Sequence, residues 1–133
     1  MPACPSRSER ARESGSAVVD FVLVLLVIVP LFLGILQVAL VLMVRNTLAS
    51  AASEGARYAA TLDRGPADGV ARTRQQVDRA ISGRFARDIE ADPVTIDGAA
   101  GVRVTVHATV PALGLGGTAI SLDVPGHAIE EQP

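Results

Sequence analysis

The stretch GSAVVDFVLVLLVIVPLFLGILQVALVLMV, Gly15 to Val44, decides the architecture: one acid, Asp20, stands at the threshold of 24 residues, Phe21 to Val44, that carry no charge. At about 1.5 Å of helical rise per residue the run is about 36 Å long, against a bilayer hydrocarbon core of about 30 Å. It therefore predicts a helix that crosses a membrane with some tilt. Upstream, Met1 to Gly15 sets Arg7, Arg10 and Arg12 against Glu9 and Glu13. With the terminal amine, this basic bias keeps the leader on the cytoplasmic side and sends the C-terminal end of the helix outward.

A secretory signal has an apolar core of about 7 to 15 residues and a small-x-small cut site behind it. Here the run is longer and passes straight into Arg45-Asn46, so cleavage after it is not expected. An acid in a membrane segment costs at least about 2.5 kcal/mol near the middle and less near an end, so Asp20 needs a reason. Two stand open. It is an N-cap or first-turn acid, stabilised by the helix dipole by about 0.3 to 1 kcal/mol; or it acts in assembly after the leader is removed. The second reading follows from a similarity to prepilins, which are cut after a glycine ahead of the apolar run. Gly15 is the glycine so placed. A cut between Gly15 and Ser16 makes Asp20 the fifth mature residue, where type IV pilins usually carry Glu, one methylene longer with the same charge.

After the membrane run the chain reads NTLASAASEGARYAA, Asn46 to Ala60. Leu48, Ala52, Gly55 or Ala56, Ala59 and Leu62 recur at helical steps and make one small apolar face. Asn46, Ser50, Ser53, Glu54 and Arg57 occupy the other side, with Glu54 and Arg57 spaced for an ion pair worth about 0.3 kcal/mol. The small face suits a helix packed on its own head domain or a stem packed on neighbouring stems. The order of these residues resembles the TadE-like family, the pseudopilins or minor pilins of tight-adherence (Tad, Flp) pilus systems. There an Asn-x-Leu, here Asn46 and Leu48, and a Glu-Gly-Ala-Arg-Tyr segment, here Glu54, Gly55, Ala56, Arg57 and Tyr58, follow the membrane helix. The resemblance runs from Gly15 to Ala60 and more loosely into the C-terminal strands.

Within the membrane run Pro30, Gly34, Gln37 and Val41 fall on one face. Pro bends a helix, Gly permits close approach, and Gln can hydrogen-bond a partner helix for roughly 0.6 to 2 kcal/mol. That stripe suits helix association. Asp63-Arg64-Gly65-Pro66 then ends the stem. A second, amphipathic helix is expected from Ala67 or Asp68 to Ile89, with Val70, Val77, Ile81, Phe85 and Ile89 as its apolar line. Its arginines, Arg72, Arg74, Arg79, Arg84 and Arg87, are interleaved with Asp78 and Asp88 in a chain of net charge −2 that has few aromatics, so no nucleic-acid partner is read from them.

From Pro93 the period becomes two. Val94 and Ile96, then Val102, Val104, Val106, Ala108 and Val110 alternate with Arg103, Thr105, His107 and Thr109, as half-buried strands do. Gly98 to Gly101 supplies a hairpin connection, and Thr118 to Val124 a third strand. The expected fold is α+β and pilin-like: a long N-terminal transmembrane and stem helix, a second amphipathic helix and a small three-stranded antiparallel meander. The divisions are a leader at 1–15, a transmembrane helix at 16–44, a stem at 45–64 and a head at 65–133.

No catalytic, cofactor or metal constellation is legible. His107 and His127 read as surface residues. Gly114-Leu115-Gly116-Gly117 lacks the setting of a phosphate loop. Asp88, Glu90 and Asp92 alternate somewhat like a calcium loop, with Pro93 where its turn glycine belongs. The single Cys4 lies in the leader, and the chain has no lysine for an isopeptide link. Removing residues 1–15 leaves nine Arg against twelve acids.

The TadE-like resemblance implies a non-enzymatic protein of the cytoplasmic membrane, single-pass, with its N-terminus cytoplasmic and its C-terminus extracytoplasmic. It implies as partners a prepilin peptidase, other pilins or pseudopilins, the platform proteins of the assembly machine and the lipid bilayer. In that scheme Gly15 and Ser16 flank the cut bond and Asp20 sets register by pairing with the Ser16 amine of a neighbour. The alternative is an uncleaved single-pass anchor whose small extracytoplasmic head binds a partner.

Overall fold

The computed structural model describes residues 7–81, 83, 86–112 and 119–130, with side chains from Ser16 onward other than that of Arg87. The elements are α1 (Arg7–Ala59), α2 (Pro66–Ala80), β1 (Ala86–Ile96), β2 (Ala99–Val110) and β3 (Ile120–Ile129). The strands form one antiparallel sheet in the order β1-β2-β3. The fold is α+β, as the change of period from helical to two requires. The chain divides into two compact units, Met1–Leu36 and Gln37–Pro133.

The first unit is helix alone. Its large side chains are exposed all round, from Val18 to Leu36, with Leu26 at 70% and Val27 at 66%. A helix apolar on every side needs a nonpolar surrounding, and α1 is long and apolar enough to supply a membrane span. Pro30 lies inside it without interrupting it.

In the second unit, the last turns of α1 and the inner face of the sheet share one core. Val44, Leu48, Ala51, Ala52, Ala56 and Ala59 of α1 meet Val77 of α2 and Val102, Val104, Val106, Ala108, Val110 and Val124. Alanines on the helix and valines on the strands leave little depth between layers, and Gly126 completes the fit. A Cβ there would stand 2.8 Å from the Ala52 carbonyl oxygen and closer still to the Ser53 backbone. The alternation read in β2 is the one observed: even positions from Val102 to Val110 are buried and Arg103 is exposed.

Several boundaries differ from the sequence reading. The second helix stops at Ala80, capped by Ile81 in an extended conformation. Ile89 therefore belongs to β1, and Phe85, Arg84 and the Arg87 side chain lie outside the described residues. The buried line of α2 is Gly69, Thr73 and Val77, one residue off the expected Val70. β1 begins at Ala86, well before Pro93, with a bulge between Ala86 and Asp88.

The hairpin is tighter than expected as well. Ile96 pairs with Ala99, so the loop is Asp97-Gly98 alone. Their φ values of 50° and 86° are the left-handed pair that a type I′ turn demands. β3 starts at Ile120 and runs through Pro125 to Ile129. Leu62, expected on the small apolar face, is 53% exposed because α1 has ended at Ala59.

Candidate functional site

Gly15 and Ser16 lie inside α1, which starts at Arg7. Asp20 is thus thirteen residues beyond the start, in the fourth turn, and the first-turn reading fails for the uncut chain. The reason is local: Ser8 to Ser14 contains no proline, and Gly15 alone costs only about 1 kcal/mol in a helix. Dipole stabilisation fades beyond the first turn, so it does not reach an exposed Asp20 there.

Pro30 and Gly34 are exposed on the membrane run. A Cβ on Gly34 would meet nothing within 4 Å, leaving room for another chain's close approach. Gln37 is partly buried and its Nε2 donates to the Pro111 carbonyl at 3.4 Å. Its amide is engaged within its own chain.

The Asn46–Tyr58 motif is divided between core, helix crossing and solvent. Leu48 is fully buried in the core while Asn46 is exposed. Gly55 and Ala56 are buried and Arg57 is exposed. Gly55 is where α2 crosses α1: a Cβ would lie 2.8 Å from the Gly69 carbonyl oxygen and would overlap the Thr73 hydroxyl. Reciprocally, a Cβ on Gly69 would lie 2.9 Å from the Gly55 carbonyl oxygen. Thr73 is buried and donates its hydroxyl to the Gly69 carbonyl at 2.8 Å, so the close approach leaves that group bonded.

Around this crossing the polar motif residues are used as clamps. Glu54 does not pair with Arg57 as its spacing suggested; its Oε1 accepts from Arg72 Nη2 at 3.2 Å, tying α1 to α2. Tyr58 carries the Arg64 guanidinium 3.8 Å above its ring centroid and that of Arg72 at 5.6 Å. Arg72 Nε is buried without a hydrogen bond, its charge being met by Glu54 and the Tyr58 ring. Beyond the turn, the Gly65 amide donates to Asp68 Oδ2 at 3.0 Å and Pro66 opens α2. That is half a capping box, since glycine has no side chain to return the bond.

Sequence reasoning passed over Gly69 and Thr73, and gave Arg64 and Arg72 no part in a helix crossing. The signal was present. Ala51, Gly55 and Ala59 on α1 and Gly69 and Thr73 on α2 are both small residues at four-residue steps, the pattern of helices that touch closely.

Little else offers chemistry. Depressions of about 300 Å³ beside Tyr58, Asp68 and Arg72 and about 180 Å³ beside Leu62 and Glu130 are shallow and open. Among the described residues no group of three or more His, Cys, Asp or Glu is placed to hold a metal. Asp88, Glu90 and Asp92 lie on an extended edge strand, not in a calcium-type loop. Gly114 to Gly117 lies outside the described residues. His107, expected at the surface, is partly exposed and bonded: its Nδ1 is 2.7 Å from Asp123 Oδ1.

Comparison with known proteins gives a family match. The family model described as TadE-like protein covers residues 15–57, which is 43 of the 133 residues. No curated protein and no solved structure matches. Over that segment the chain is similar to TadE-like proteins; the match lies within the Gly15–Ala60 stretch that carried the resemblance and ends one residue before Tyr58.

Proposed function

We propose that this chain, TadE-like from Gly15 to Arg57, is a non-enzymatic pseudopilin or minor pilin of a Tad-type pilus. It enters the cytoplasmic membrane through α1 with its N-terminus cytoplasmic, loses its leader to a prepilin peptidase between Gly15 and Ser16, and joins other pilins in assembling or initiating the filament. The observation that carries this reading is the extent of the family match, which begins at the proposed cut, spans the apolar run and takes in the stem motif as far as Arg57. The exposed apolar surface of Val18 to Leu36 supports it, because such a surface serves equally in lipid and against other pilin helices. Gly34, with no neighbour near its Cα, offers the close approach that association needs.

A second reading, the uncleaved anchor with a binding head, draws support from one feature. α1 runs unbroken through Gly15, whereas a protease needs the bond in extended form. The two are separated by the intact mass and N-terminal residue of membrane-extracted protein, with and without the peptidase. The pilin reading expects a chain beginning at Ser16 only when the peptidase is present. A chain that keeps Met1 or Pro2 in both backgrounds overturns it and favours the anchor.

A further inference from the structure

Among the described residues the helices pack on one face of the sheet only, and His107 lies in the middle of the other, open face. The register sets Asp88 of β1 and Asp123 of β3 on either side of it. Its Nδ1 is 2.7 Å from Asp123 Oδ1 and its Nε2 is 3.9 Å from Glu90 Oε2. Each ring nitrogen therefore faces a carboxylate on a different neighbouring strand. On β2 itself Thr105 and Thr109 flank His107 on the same face, and Arg103 stands two rows away.

We propose that His107 makes the open face of the sheet responsive to protons, bridging both edge strands as an imidazolium and releasing Glu90 when neutral. The chemistry follows from the inventory of the ring. An imidazolium donates from both nitrogens and can hold Asp123 and Glu90 together. A neutral ring that keeps its proton on Nδ1 for Asp123 turns the Nε2 lone pair toward Glu90, which then gains nothing from the approach. With Asp88, Glu90 and Asp123 ionised, the local charge moves from −2 to −3 as the proton leaves.

The hydrogen bond to Asp123 raises the His107 pKa above its ordinary 6.5; desolvation opposes it in part, and the charges of Asp123, Glu90 and Asp88 each add a smaller rise. A group whose folded pKa is raised lends stability below its unfolded value and loses it as pH climbs through the folded one. The bridge is therefore complete below pH 6.5 and opens on the alkaline side, so far as His107 governs it. This inference is independent of the pilin reading, since it needs only the folded head.

The test uses the full chain in detergent micelles, following the His107 ring signals by nuclear magnetic resonance and backbone amide exchange in β1 across the same pH range. Wild type is expected to titrate above 6.5, and Asp123→Asn to lower the midpoint by removing the hydrogen bond that raises it most. Corrected for intrinsic rates, β1 amides should exchange faster above the wild-type midpoint, and His107→Gln should abolish that step. A wild-type midpoint at or below 6.5, a midpoint indifferent to Asp123→Asn, or the same β1 step in His107→Gln would each overturn the proposal.

Discussion

Asp20 is a charge whose surroundings depend on where the chain begins. In the full chain it lies in the fourth turn of a helix that starts at Arg7, beyond reach of the helix dipole. Removal of residues 1–15 would make it the fifth residue, close to four unsatisfied amides and a new α-amino group. Processing would thus turn a costly membrane charge into a stabilised one, and a neighbour's Ser16 amine could complete the pair. Asp20→Ala is expected to leave the protein in the membrane fraction but absent from sheared filaments, and Asp20→Glu to restore incorporation. Filaments that contain Asp20→Ala at wild-type level would refute a register role.

At the scale of elements, the α1–α2 crossing is the feature least tolerant of change. Gly55→Ala places a methyl group against the Gly69 carbonyl and the Thr73 hydroxyl. Overpacking of that kind costs roughly 1 to 3 kcal/mol, and backbone on one side cannot rotate away. Thermal unfolding in micelles should show a lowered midpoint, and Thr73→Ala in the same chain should recover part of it by removing the hydroxyl. An unchanged midpoint in Gly55→Ala would mean that the helices are not in contact there.

How much of these elements was legible depended on whether one periodicity stood alone. β2 was read correctly because valine alternates with polar residues and no helical pattern competes. The first half of β1, before Pro93, was missed because Val77, Ile81, Phe85 and Ile89 sit at exact four-residue steps, which prolonged the helix. Its own signal was the alternation of Asp88, Glu90 and Asp92 around Ile89 and Ala91, obscured by Pro93. On an edge strand a proline is admissible. Ile96 and Ala99 flank a two-residue turn and exchange hydrogen bonds, so counting back by twos leaves Pro93 among the residues that donate nothing to β2. The helix crossing was hidden for another reason: small residues at four-step spacing say that a helix is approached closely, but not by which helix.

For the whole molecule, the question is where the folded head begins. Among the described residues the core has thirteen buried members, of which Val44, Leu48, Ala51, Ala52, Ala56 and Ala59 come from α1. A sheet of three strands with one short helix is near the small end of what folds unaided, and here α1 supplies much of what covers its inner face. Without α1 the inner faces of Val102, Val104 and Val106 would lie open to water, and Gly126 would have nothing to approach. We therefore propose that the stem is part of the head's core, whatever it also does among neighbouring subunits. A chain of residues 37–133, which keeps the second compact unit entire, should unfold cooperatively and show protected amides in β2. One of residues 65–133 should show neither. Leu48→Ala in the longer chain, the loss of its largest buried α1 side chain, should cost about 2 to 5 kcal/mol. Cooperative unfolding of 65–133 with protected β2 amides would show instead that the stem only rests on a head able to stand by itself, leaving its small face free for other stems.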